Sequence, residues 1–213
     1  MAKFPIFLEL NERRAVVIGA GHVAVRKAQS LLDAGARVVV VADKIDQHMS
    51  SICKKRNAEL IPDKYASHYL NQAVLVIAAT NNPKVNRQIY DDCQKLQILC
   101  NVVDCPELCD FFVPGVIEQG ALTIAVSTGG KCPAYAGHIR KKIDEIITDK
   151  HGEFLESLQK ARKTVYQKIQ NPDQAKKTLG HLVSDKSFDH FIKKGAAEWE
   201  LMAESVIQNA DEL

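Results

Sequence analysis

The stretch Val16–Asp43, "VVIGAGHVAVRKAQSLLDAGARVVVVAD", decides how the chain is read. A β-branched run ends at Gly19, a glycine turn follows, an amphipathic run continues from Val23 to Ala34, and a second Val-rich run spans Arg37–Ala42. Gly19, Gly21 and Ala24 stand in a G-x-G-x-x-A arrangement directly between strand and helix. In that arrangement the first glycine permits a tight turn and the second lets a pyrophosphate approach the backbone. The small third residue keeps the helix against the sheet. An anion would rest on the N–H groups of His22, Val23 and Ala24, where the helix dipole favours negative charge. The His22 imidazole itself reads as surface. Asp43 follows the second run, roughly 20 residues on, where an acid can hydrogen-bond a ribose 2′-hydroxyl and favour NAD over NADP. Lys44 beside it weakens that preference, and a solvated loop charge accounts for Asp43 equally well.

The pattern extends outward. Ala15–Gly19, Arg37–Ala42, Ala73–Ala79 and Ile98–Val103 are almost uniformly apolar, as strands covered on both faces of a parallel sheet must be. Helices are expected at Val23–Ala34, Gln47–Arg56 and Pro83–Leu96, the last with Asn82 as N-cap, and Ala58–Pro62 reads as a shorter strand. Strand–helix–strand repetition predicts a doubly wound, Rossmann-type α/β sheet. Ligands of such sheets bind beyond the carboxyl ends of the strands, which puts Thr80 and Asn81, closing the fourth strand, beside the dinucleotide. After Phe111 two β-like segments flank a turn at Glu118–Gly120, and from Pro133 onward the chain reads as helices with breaks near Asp149–Gly152, Asn171–Pro172 and Gly180–Ser187. The division expected is a nucleotide domain over 1–113, a small β/α region over 114–148 and a helical C-terminal part over 149–213.

Totals exclude several classes. Lys+Arg 28 against Asp+Glu 26 gives a net charge of +2, no argument for a nucleic-acid surface, and the segment after Lys150 mixes both signs. The longest apolar runs are far too short to span a bilayer, and the opening "MAKFPIFLELNERR" lacks a secretory h-region. A cytoplasmic protein with six reduced cysteines is expected. "STGGK" (127–131) invites a phosphate-loop reading and fails it. Ala125 stands where the first glycine is needed, and Cys132 where Ser or Thr should hold magnesium.

"NVVDCPELCDFFVP" (101–114) poses a choice between an acid placed for chemistry and a thiolate metal site. The spacing of Cys100, Cys105 and Cys109 matches neither zinc pairs nor common iron–sulfur runs, so no metal site is expected. Asp104, at the end of a strand, faces the crevice of a doubly wound sheet. An Asx turn before Pro106 is the plainer account of it.

"FPIFLEL", "GAGHVAVRKAQSLLDAGARVVVVA", "VIAATNNPKVN" and "NVVDCPELCDFFVPGVIEQGALTIAVSTGGKCPAYAGHIRKKI" together resemble the precorrin-2 dehydrogenase family of the siroheme-synthase type. The resemblance covers residues 4–148 and is most specific over 101–133. It implies NAD-dependent oxidation of precorrin-2 to sirohydrochlorin and a homodimer built from the region after the nucleotide domain. Some members also insert ferrous iron into the product, and nothing in the sequence separates one activity from two. A non-catalytic NAD-sensing domain would explain the glycine loop alone. By the same resemblance Asp104 is the catalytic aspartate, Gly19, Gly21 and Ala24 the cofactor loop, and Thr80 and Asn81 the strand end facing NAD. Ser127, Thr128 and Gly129 then form a loop at the tetrapyrrole site. Lys131 and His138, with Arg140, Lys141 and Lys142, would give a field suited to a polycarboxylate; a solvated helix face is the ordinary meaning of such a run. Cys105 replaces an acid or amide usual in the family, Cys132 a serine, and Asp43 a proline.

Overall fold

The β-branched runs become one parallel sheet in the computed structural model, which describes residues 3–212. β1 (Arg14–Ile18), β2 (Arg37–Val41), β3 (Glu59–Ile61), β4 (Leu75–Ala78) and β5 (Leu99–Val102) lie in the order β3-β2-β1-β4-β5, every neighbouring pair parallel. Val17, Val38, Val40 and Ile77 face one core, shared with α1 (His22–Asp33) and α2 (Gln47–Lys55). Val16, Val39, Val41 and Val76 face the other, closed by Ile89 and Cys93 of α3 (Pro83–Leu96). Successive strand side chains point to opposite faces, so a sheet covered on both sides needs an apolar residue at every position. The doubly wound architecture read from the sequence is the one observed. From β1 the strand order runs outward in both directions, so the crevice where dinucleotides bind lies beyond the carboxyl ends of β1 and β4.

One compact unit runs to Val113 and a second begins at Pro114. The second opens with an antiparallel hairpin of β6 (Gly115–Gln119) and β7 (Leu122–Val126), turned at Gly120. It continues through α4 (Pro133–Ile146), α5 (Asp149–Lys168), α6 (Pro172–Leu182), α7 (Asp185–Lys194) and α8 (Ala196–Gln208). Trp199 packs edge to face with Phe154 and Phe191, themselves tilted against each other, and satisfies its buried indole N–H on Ser187 Oγ at 2.7 Å.

One of the expected helix breaks is displaced by a residue or two, and another is narrowed within its expected range. Asp149–Gly152 is the first turn of α5; the break falls at Ile147–Thr148, where the Thr148 N–H donates to His151 Nδ1 at 3.1 Å. Gly152 is there for space, since a Cβ on it would stand 2.3 Å from the Gln119 carbonyl oxygen. Gly180 lies inside α6, and the chain breaks at Val183–Ser184, with Ser184 Oγ accepting the Ser187 N–H. Gly195, at φ +83°, makes a further break between α7 and α8. Among the described residues no helix is long and apolar enough to cross a membrane.

Candidate cofactor and catalytic site

The glycine turn leaves β1 and enters α1 at His22, with Gly21 as N-cap. Gly19 adopts φ +117°, and a Cβ there would meet the Ala79 carbonyl oxygen at 2.3 Å, so the β1 turn lies directly on the end of β4. Gly21 is different. Its φ of −72° suits any residue, and a Cβ would meet nothing within 4 Å. The space in front of it is open, and among the described residues no side chain caps the first N–H groups of α1. Ala24 is fully buried against the sheet. Small residues, open space and uncapped donors at a helix N-terminus are what a pyrophosphate requires, so this turn fits a dinucleotide. Asp43 lies just beyond β2, exposed, and its carboxylate makes no hydrogen bond among the described residues.

Beyond β4 the chain is held by a residue that the sequence reading passed over. Asn86, buried in α3, makes all three of its side-chain hydrogen bonds with Thr80. Its Oδ1 accepts from the Thr80 hydroxyl (2.7 Å) and N–H (3.2 Å), and its Nδ2 donates to the Thr80 carbonyl (3.0 Å). Asn82 caps α3 by accepting from the N–H groups of Lys84 and Val85. Asn81 is left exposed at the tip of the turn. A polar residue three positions after a proline N1 looked like an ordinary helix residue; only its burial marks it.

The block after β5 closes the edge of the sheet with its own chain. The Val103 N–H donates to Ala78 O at 2.9 Å, and a turn follows in which the Cys105 N–H donates to Val102 O at 3.3 Å. Asp104 is the third residue of that turn, at φ +60°. Turns with a positive φ there ordinarily take glycine or asparagine, and an L-residue costs on the order of 1 kcal/mol more. The Asp104 carboxylate is exposed and forms no hydrogen bond among the described residues, so the turn is made by the backbone and not by an Asx turn. The chain then doubles back: Asn101 bridges Cys109, Asp110 N–H donates to Cys100 O (2.8 Å), and Cys100 N–H donates to Asp110 Oδ2 (2.9 Å).

The thiols point to separate partners. Cys100 is buried in β5. Cys105 Sγ donates to Glu107 Oε1 at 3.0 Å, a bond that pushes its pKa up and pulls that of Glu107 down. Cys109 Sγ lies 3.2 Å from Val102 O and 3.3 Å from Cys105 O, and burial pushes its pKa up. Among the described residues no group of three His, Cys, Asp or Glu could hold a metal ion. On α1, burial holds the ammonium of Lys27 below the usual lysine range, with Arg26 adding to the effect.

The remaining sequence-predicted residues belong to the second unit. Ser127 Oγ accepts the Gly129 N–H (3.1 Å), and Thr128 Oγ1 accepts the Cys132 N–H (3.2 Å). Gly129 and Gly130 take φ of +62° and +83°, and the loop leads into α4, whose first turn has no side-chain cap. Lys131 and His138 are exposed, as are Lys141 and Lys142, whereas Arg140 lies 4.0 Å from Asp144.

Comparison with known proteins agrees with this geometry. Residues 6–115 match a family model described as NAD(P)-binding, and residues 119–146 match one described as sirohaem biosynthesis protein central. A siroheme synthase of Psychrobacter arcticus is 34% identical over 169 residues, 79% of this chain and 31% of that protein. One from Baumannia cicadellinicola is 32% identical over 200 residues, 94% of this chain and 43% of that protein. The chain thus spans less than half the length of these curated relatives. Among solved structures, "SirC, precorrin-2 dehydrogenase" superposes with a TM-score of 0.77 at 19% identity, covering 95% of this chain and all of that one, a likeness of fold. The chain belongs to the NAD(P)-binding family of the first model, which matches half of it, and over most of its own length it is similar to siroheme synthases.

Proposed function

We propose that this protein oxidises precorrin-2 to sirohydrochlorin with NAD, and that Asp104 is the base of the reaction. The observation that carries the reading is the backbone of Asp104. An aspartate is kept at φ +60°, where glycine would be unstrained, at the carboxyl end of a strand of the NAD(P)-binding sheet, with its carboxylate unengaged among the described residues. Backbone strain of this kind persists where surrounding structure imposes it, and it concentrates at functional sites. Bound NAD supplies the hydride acceptor. The protein's share is to seat the pyrophosphate on the N–H groups of His22, Val23 and Ala24 and to hold the Thr80–Asn82 turn beside it. Dehydrogenation of the tetrapyrrole also releases a proton, which an exposed carboxylate within hydrogen-bond reach accepts. The loop Ser127–Gly129 with Lys131 and His138 supplies hydroxyls, N–H groups and positive charge for the substrate's carboxylates.

The same reading makes the protein a cytoplasmic homodimer. Val116 on β6 and Tyr135 and Ile146 on α4 are exposed apolar residues of the region where the family resemblance puts the dimer contact. The test is an anaerobic absorbance assay of precorrin-2 with NAD, run with wild type and Asp104→Ala. Sirohydrochlorin and NADH should appear together and be lost in the variant. An NAD-binding wild type that turns over no precorrin-2 overturns the reading and leaves a nucleotide-sensing domain.

A further inference from the structure

We propose that Cys109, held by Asn101, is the positioning residue that sets Asp104 in its left-handed turn. This rests on the reading of Asp104 as the base. The sulfur of Cys109 lies inside the Val102–Cys105 turn, 3.2 Å from the carbonyl oxygen at its start and 3.3 Å from the one at its end. These two carbonyls flank Asp104. A thiol carries one proton, so it bonds one carbonyl at a time or shares itself between the two, and either way it draws both ends of the turn toward one point.

The sulfur is itself held. Asn101 Nδ2 donates to it at 3.4 Å and to the Phe111 carbonyl at 2.9 Å. Asn101 is 8% exposed, so an amide with no partner there would be costly, and its two bonds tie β5 to the returning strand. The return segment is anchored on its other side by Asp110, which bonds both backbone groups of Cys100 and accepts from Gln94 Nε2 at 3.0 Å. The loop from residue 102 to residue 109 is therefore closed at its base by backbone and braced from within by one sulfur. Asp104 lies in its first turn. The same arrangement answers the choice posed by the cysteines in this block: Cys109 serves the aspartate as a hydrogen-bonding strut.

The strut predicts a particular kinetic pattern. Cys109→Ala removes the contact to both carbonyls and lets Asp104 relax toward negative φ, moving its carboxylate by an ångström or more. A displacement of that size costs on the order of ten- to a hundredfold in turnover. We expect kcat for precorrin-2 to fall by that factor, with KM for NAD and NADH affinity by fluorescence unchanged, because the glycine turn is untouched. Cys109→Ser keeps the donor and should restore kcat to within about threefold. Cys109→Val, without a donor and closer in volume, should behave as Cys109→Ala, and it carries the prediction if the alanine variant does not fold. Wild-type kcat in both donor-free variants, or equal loss in Cys109→Ser, refutes the strut while leaving the role of Asp104 intact. Wild-type kcat in Asp104→Ala removes the base, and the strut with it.

Discussion

Truncating Asn86 to alanine is the most direct test of how the cofactor crevice is built. The substitution deletes three hydrogen bonds, all to Thr80, at 2.7, 3.0 and 3.2 Å. At about 0.5–1.5 kcal/mol net for each, the loss lies between about 1.5 and 4.5 kcal/mol. Thr80 is only partly buried, so water can reach its freed N–H and carbonyl and the lower half of that range applies. We expect about 2–3 kcal/mol, read as a lower urea midpoint at unchanged m-value. Released from Asn86, the Thr80–Asn82 turn becomes mobile, and NAD must order it again on binding. Spending about 1.4 kcal/mol of binding free energy on that ordering raises the dissociation constant tenfold. NADH fluorescence titration measures this without any turnover. Asn86→Asp should fall between, since it keeps both accepting bonds but sets a carboxylate oxygen against the Thr80 carbonyl. The reasoning is refuted if Asn86→Ala loses the expected stability and binds NADH as wild type does. In that case the turn holds itself and Asn86 only supports the fold.

Gly19 and Gly21 should respond in opposite ways. Gly19→Ala places a methyl group 2.3 Å from the Ala79 carbonyl at a φ of +117°, and strain together with overpacking should cost about 2–4 kcal/mol, seen as a lower Tm. Gly21→Ala meets no protein atom and should melt at or slightly above the wild-type temperature, yet lose at least tenfold in NADH affinity as its methyl enters the anion's space. Tyr65 offers a pH test. Burial, and then its 3.0 Å hydrogen bond to Asp92, raises the phenol above its ordinary value of 10.0. The folded protein then binds that proton more tightly than the unfolded chain. Its contribution is present in full below about pH 10 and fades as pH rises beyond it. The stability difference between wild type and Tyr65→Phe should therefore hold up to about pH 10 and shrink between about pH 10 and 11 in denaturant titrations. A constant difference across that window would refute the assignment.

Much of the first unit was legible along the chain because its signals are local. Unbroken Val/Ile runs identify strands covered on both faces. Glycine spacing identifies the anion turn, and Asn82-Pro83 identifies the start of α3 to the residue. Each depends on neighbours within a turn or two. The family resemblance added Asp104 and the Ser127 loop, which composition and periodicity would not have singled out. The break expected at Asp149–Gly152 falls just before it, because a glycine at a close approach and a glycine in a turn look alike in one dimension. What tells Gly152 apart is a carbonyl from a hairpin more than thirty residues earlier.

By itself, then, the sequence determined the strands, most helices and the dinucleotide turn, and resemblance to a family added the candidate base. Only the tertiary structure decided what lies around Asp104 and what holds the Thr80 turn. Asn86 is a polar helix residue until α3 packs on the sheet and buries its amide against Thr80. Cys109 is one of six cysteines until β5's own continuation folds back and sets the sulfur between two carbonyls. The physical reason is the same for both. A buried polar group must find partners, and which partners it finds depends on which segments packing brings together, a property of the folded chain and of no window along it.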